Sequence, residues 1–226
     1  MTGLTFGELD RDGALSSAFE RAGGDSRANF LRKALVGSAA LVAGLTLPAR
    51  AGATSKNDVD ILNYALTLEY LQAAFYTETE RANAVRGKAK QAARLVGAVE
   101  RAHVKAFRKA LGSAAVKSPT FDFRGVTEAQ TPFLKTAVAF EDLAVAAYKG
   151  QAPLIQSKAI LGVAVSIHSI EARHAAWMRY LFGILPAQHA FDLPSPRGVV
   201  LRTVQSTRFI TSKPKTSGKE KPRYTG

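Results

Sequence analysis

Two stretches of the chain repeat one pattern: Leu66-Thr-Leu-Glu69-Tyr-Leu71-Gln-Ala-Ala74-Phe-Tyr76 and Val138-Ala-Phe-Glu141-Asp-Leu143-Ala-Val-Ala146-Ala-Tyr148. In both, apolar residues recur at helical spacing around a single glutamate. Each stretch is followed by a second helical segment that contains a Glu-x-x-His motif. We therefore interpret the middle of the chain as two copies of one helical hairpin.

The same periodicity predicts four helices, over residues 57–83, 87–111, 131–150 and 157–182. Asn57 or Asp58 is the predicted N-cap of the first helix, and Gly112 and Gly183 are placed to end the second and fourth. No part of this region alternates with period two for long. The fold class is therefore all-α.

The connections between these helices differ in length. About four residues join the first two helices, which must then be antiparallel neighbours. Residues 112–130 separate the second helix from the third, and at about 3.3 Å per residue they can run the full length of a bundle. Two hairpins joined by one long crossover form a ferritin-like antiparallel four-helix bundle, not a simple up-down-up-down bundle.

The candidate chemistry lies in the two Glu-x-x-His motifs and the two glutamates upstream of them. A spacing of three places the Glu and His of each motif on one helical face. In an antiparallel hairpin, residues equidistant from the turn lie at the same height, which brings each upstream glutamate level with its motif. The predicted cluster consists of Glu69, Glu100, His103, Glu141, Glu171 and His174.

Charge then indicates a metal site. Four buried carboxylates without a counter-charge would cost several kcal/mol each. Two divalent cations would balance them and leave the histidines neutral. Oxygen-rich ligands with one imidazole per metal suit two iron ions, or alternatively two manganese ions, better than structural zinc.

These residues resemble the ligand set of the ferritin-like di-iron superfamily. The stretches Glu171-Ala-Arg-His-Ala-Ala-Trp-Met-Arg-Tyr-Leu and Ala190-Phe-Asp-Leu-Pro-Ser-Pro are similar to a bacterial ferritin-like family related to desiccation-associated proteins. The resemblance spans about residues 57–210. It implies that Glu100 and Glu171 bridge the metals, that Glu69 and Glu141 bind terminally, and that His103 and His174 complete the two coordination spheres.

Three neighbours of the cluster carry weaker predictions, and one position departs from the family pattern. Tyr76 and Tyr148 follow their glutamates by seven residues on the same face, and we expect packed rings with satisfied hydroxyls, the alternative being a ligand contact or a radical site. His168 is expected to be an ordinary core or surface histidine, with proton relay or metal binding as the alternative. Ile170 stands where many relatives carry an Asp that would support the imidazole.

Residues 1–53 are predicted to be an N-terminal signal segment. Basic residues within 26–33 precede an apolar run over 34–47 and small residues up to Ala53, a signal-peptide pattern. The basic part resembles a twin-arginine signal in which Ala28 replaces the second arginine. We expect export to the periplasm or the outside, with cleavage near Ala51 or Ala53; if the signal does not function, the protein stays cytoplasmic.

The predicted bundle over 54–190 is followed by an extension and a basic tail over 191–226. The chain of 226 residues carries 31 Lys+Arg against 18 Asp+Glu, a formal net charge of +13. Anionic envelope polymers are the expected partners of the tail, the alternative being a tail that only adds solubility. No nucleic-acid module is recognisable. The absence of cysteine excludes disulfides and thiolate metal sites, and no apolar run reaches the about 18 residues that span a bilayer.

Two function classes remain open at this point. A di-metal oxidoreductase of the ferroxidase or manganese-catalase type would react with O2 or peroxide in stress protection. The alternative is a non-catalytic desiccation-protective or envelope-binding protein whose metal site is structural or vestigial. A channel lined by small residues such as Ala73, Ala74 and Ala102 would favour the first, and a closed dry core the second.

Overall fold

A computed structural model describes residues 55–212 of the chain. Five α-helices are present in this range: α1 (Lys56–Ala82), α2 (Gly87–Leu111), α3 (Gln130–Gln151), α4 (Lys158–Phe182) and α5 (Arg197–Thr207). The ends of the first four agree with the predicted ends to within one residue, so the all-α prediction is confirmed. Helix α5 was not predicted.

The helices pack as two hairpins, α1 with α2 and α3 with α4. Helix α1 also lies beside α3, and α2 beside α4. Asn57 at the start of α1 donates from Nδ2 to the carbonyl of Leu154, just after α3, at 2.8 Å. The backbone N–H of Arg86, after the end of α1, donates to Oε1 of Gln130 at the start of α3 at 3.0 Å. Helices α1 and α3 are therefore antiparallel, and the crossover between α2 and α3 returns along the whole bundle as predicted.

A buried aspartate joins the two hairpins at one end. The N-cap of α1 is Ser55, whose Oγ accepts from the N–H of Asp58 at 3.1 Å, so the prediction of Asn57 or Asp58 as the cap was wrong. Asp58 instead accepts from the backbone N–H groups of Gln156 and Ser157, each at 2.9 Å, immediately before α4. Its carboxylate thereby satisfies donors on the other hairpin, where the start of a helix favours negative charge.

Helix α5 belongs to the core. Its Val200 and Val204 are buried with the aromatic side chains near Phe75, and the guanidinium of Arg197 lies 5.0 Å above the ring of Tyr64 on α1. Phe209, just after α5, packs against two further rings at centroid distances of 5.4 and 6.0 Å. The segment after α4 therefore packs on the α1 and α3 side of the bundle.

No helix between residues 55 and 212 is both long and apolar enough to cross a membrane. The predicted signal segment over residues 1–53 lies outside the described residues, and so does the tail from residue 213.

Candidate metal centre

The structure brings all six predicted cluster residues together in the middle of the bundle. The four glutamates are 0% exposed, and His103 and His174 are 8% and 7% exposed. Their side-chain atoms form two overlapping groups, each with one donor atom per residue within 4.8 Å of the others. The first group is Glu69, Glu100, His103 and Glu171; the second is Glu100, Glu141, Glu171 and His174. Glu100 and Glu171 belong to both.

Each histidine presents Nδ1 to three carboxylates. For His103 the distances are 3.1 Å to Glu69 Oε2, 3.3 Å to Glu100 Oε2 and 3.3 Å to Glu171 Oε1. For His174 they are 2.9 Å to Glu100 Oε1, 3.5 Å to Glu141 Oε2 and 3.9 Å to Glu171 Oε2. Glu100 and Glu171, which belong to both groups, therefore each lie near both imidazole rings.

Most of these close approaches are not hydrogen bonds. Both carboxylate oxygens of Glu100, both of Glu171, Oε2 of Glu141 and Nδ1 of His174 are buried without a hydrogen-bond partner. The 2.9 Å approach of His174 to Glu100 thus lacks the geometry of donation. Buried acceptors left unsatisfied are costly and need an explanation. A cation placed among them would supply one, because carboxylate oxygens and imidazole nitrogens are ligands for iron and manganese.

Two tyrosines hold the outer glutamates across the bundle. The hydroxyl of Tyr76 on α1 donates to Glu141 Oε1 on α3 at 2.5 Å, and that of Tyr148 on α3 donates to Glu69 Oε1 on α1. Each tyrosine therefore binds the glutamate of the other repeat, not its own. The satisfied hydroxyls agree with the sequence expectation, whereas the exchange between repeats was not foreseen.

The protonation of the metal-free cluster is strongly perturbed. Burial raises the pKa of Glu69 to about 7, and burial together with the charge of Glu100 raises the pKa of Glu171 well above its usual range. Burial also disfavours imidazolium, but the surrounding carboxylates outweigh it and raise the pKa of His103 and of His174. Burial would raise the pKa of Glu100 as well, yet the two histidines lower it on balance. With one added proton on each imidazole ring and one each on Glu69 and Glu171, the cluster would carry no net charge.

The remaining candidates lie outside the cluster. His168 belongs to neither group; burial lowers its pKa, and Asp192 and Lys149 are the charges that affect it. Ala73 is buried and Ala102 half-buried. A small cavity between α1 and α3 is not lined by Ala73, Ala74 or Ala102, the residues predicted to line a channel.

Gly97 is a positioning residue that the sequence analysis missed. A Cβ at this position would lie 2.8 Å from Cβ of Tyr76 and 2.6 Å from Oε1 of Glu80. Only glycine lets α2 approach α1 this closely, one turn before Glu100. In the sequence, the signal for this role is a glycine three residues before Glu100, on the same helical face as the Glu-x-x-His motif.

A family model for the ferritin-like domain matches residues 57–183, more than half of the chain. No curated protein matches the chain.

The raised pKa values predict how the stability of the metal-free protein depends on pH. Between about pH 5 and pH 8 the folded cluster holds more protons than the unfolded chain, because Glu69 titrates near 7 instead of 4.5 and the histidines titrate above their usual value. Stability is therefore lost as the pH rises, and we expect the Tm in excess chelator to fall by several degrees across this range. With saturating metal the ligands are deprotonated and Tm should not fall. A Tm that rises with pH in chelator would contradict this protonation pattern.

The tyrosine contacts predict a specific loss of stability. In Tyr76→Phe the Oε1 atom of Glu141 loses its donor in a buried site, and we expect the free energy of unfolding to drop by about 1–3 kcal/mol in chemical denaturation. Tyr64→Phe is the matched control, since the Tyr64 hydroxyl is buried without a partner and its removal should cost almost nothing. Equal losses in the two variants would mean that the Tyr76 hydroxyl adds no stability.

Proposed function

Because the chain belongs to the ferritin-like domain family, we propose that its buried Glu/His cluster binds two metal ions, iron or manganese. One ion is held by Glu69, Glu100, His103 and Glu171, and the other by Glu100, Glu141, Glu171 and His174. Glu100 and Glu171 would be shared by the two ions, and Glu69 and Glu141 would each hold one. The membership of Glu100 and Glu171 in both groups supports these roles.

The observation that carries this proposal is the set of unsatisfied acceptors. All four carboxylate oxygens of Glu100 on α2 and Glu171 on α4 are buried without a hydrogen-bond donor. Two divalent cations supply four positive charges against four carboxylates. Metal binding would also displace the protons that the metal-free cluster needs, which couples affinity to pH.

We propose redox chemistry with O2 or peroxide as the activity, in a stress-protective role of the desiccation-related type. Bound iron or manganese would supply electrons to the oxidant. The protein's own residues orient the carboxylates and exclude water. Tyr76 and Tyr148 keep the outer carboxylates oriented through their hydroxyls, and the buried helices exclude bulk water from the centre.

The overlap of the two groups predicts unequal effects of glutamate substitution on metal content. Natively purified protein should contain about two iron or manganese ions per chain by elemental mass spectrometry. Glu100→Gln removes a ligand from both ions and should leave well under one ion. Glu69→Gln removes a ligand from one ion only and should leave about one.

Glu128→Gln serves as the matched control, because Glu128 is exposed and lies outside both groups. It should retain two ions. Equal metal content in Glu100→Gln and Glu128→Gln, or no metal in the wild type after reconstitution with either ion, would contradict the proposal.

We further propose that the protein is exported and lies against anionic envelope polymers. The support is the signal pattern ahead of Thr54, the basic tail, and the outer face of α2, where exposed basic residues have no exposed acidic neighbour on the same helix. These residues are Lys88, Lys90, Arg94, Lys105, Arg108 and Lys109. Arg101 on the same helix is instead paired with Glu80 of α1 at 2.9 Å. Export of a folded chain would allow the metals to be loaded before transport.

Cell fractionation tests export and envelope binding together. The mature protein should begin near Gly52 or Thr54, be absent from the cytoplasm, and leave the envelope fraction as salt concentration rises. An intact Met1 in the cytoplasm contradicts export. A mature protein that never associates with the envelope contradicts only the polymer partner.

A further inference from the structure

A small cavity lies between α1 and α3. Six residues line it: Leu68, Leu71 and Gln72 from α1, and Phe140, Leu143 and Ala144 from α3. About 10 Å³ is available to the centre of a water-sized molecule, which is room for one such molecule.

The cavity lies where the two sequence repeats face each other. Leu68 aligns with Phe140, Leu71 with Leu143, and Gln72 with Ala144, so its lining consists of three pairs of equivalent positions. Leu68 and Phe140 immediately precede Glu69 and Glu141, and Gln72 and Ala144 follow them by three residues. The lining residues thus lie within one helical turn of both outer glutamates along α1 and α3.

Gln72 breaks the apolar symmetry of this lining. It is the one polar residue among the six, it is 2% exposed, and its Nε2 has no hydrogen-bond partner. A buried amide donor without an acceptor is destabilising, and at the equivalent position the other repeat carries an alanine. A hydrogen-bond acceptor inside the cavity would satisfy this donor.

We propose that the cavity binds one small neutral molecule with a hydroxyl oxygen, and that Gln72 Nε2 donates a hydrogen bond to that oxygen. Water and hydrogen peroxide share this chemistry. The apolar remainder of the lining favours neutral molecules over ions. The peroxide role rests on the proposed function: the gap between α1 and α3 would hold peroxide before it reacts at the centre.

A crystal structure of the metal-free protein tests the hydrogen bond without any activity. We expect an ordered oxygen about 2.7–3.2 Å from Gln72 Nε2. Gln72→Leu, similar in size, should lack it while the helices stay in place. The double variant Gln72→Ala with Ala144→Gln moves the amide to the equivalent position of the other repeat and should restore it. An empty cavity in the wild type, with the Gln72 amide bonded to another protein group, would overturn the proposal.

The peroxide role is tested separately on metal-loaded protein by rapid mixing with hydrogen peroxide. In Gln72→Leu we expect the second-order rate constant to fall by about tenfold, the value of one neutral hydrogen bond, with metal content unchanged. An ordered oxygen together with an unchanged rate constant would overturn the peroxide role and leave a structural water. If the protein binds no metal, the proposed function is wrong. The crystallographic test of the Gln72 hydrogen bond uses metal-free protein and does not depend on that outcome.

Discussion

The mutual repulsion of four carboxylates in a buried helical core is the constraint on which the rest of this structure depends. Glu69, Glu100, Glu141 and Glu171 are fully buried within reach of one another, and ionised carboxylates in such surroundings need compensation. Two imidazoles and two tyrosine hydroxyls supply part of it. The raised pKa values of Glu69 and Glu171 show that these groups leave part of the negative charge uncompensated. In the metal-free protein protons supply that part; in the proposed holoprotein, metal ions do.

Internal repetition explains how one chain meets this constraint. Each hairpin contributes one outer glutamate, one Glu-x-x-His motif and one tyrosine, and the antiparallel packing of α1 and α3 brings equivalent residues face to face. The tyrosine of one repeat binds the glutamate of the other, so neither hairpin completes its polar contacts alone. Asp58 has the same effect at the end of the bundle, where it satisfies backbone donors ahead of α4. The repeats differ at Gln72 and Ala144, beside the cavity between them.

Much of this arrangement could be predicted because it follows from periodicity and spacing. The four bundle helices, the crossover and the convergence of six side chains depend on local pattern and chain length alone. Helix α5 was missed because Gly198 and its β-branched neighbours favour helix weakly, and only contacts with Tyr64 and the aromatic core select it. Ser55 was missed as the cap because Ser, Asn and Asp are about equally good N-caps. Only the contact of Asp58 with the backbone ahead of α4 shows that this carboxylate is used elsewhere. The tyrosine exchange and the cavity at Gln72 depend on distances between helices, which spacing along the chain does not determine.

Anomalous diffraction from crystals of natively purified protein would show whether these six residues hold two metal ions. Data collected on either side of the iron and manganese absorption edges identify the element at each position. We expect two peaks inside the cluster, both bordered by Glu100 and Glu171, one beside His103 and the other beside His174. A single peak away from these carboxylates, or a cluster that holds no peak while its glutamates bond to water, would contradict it.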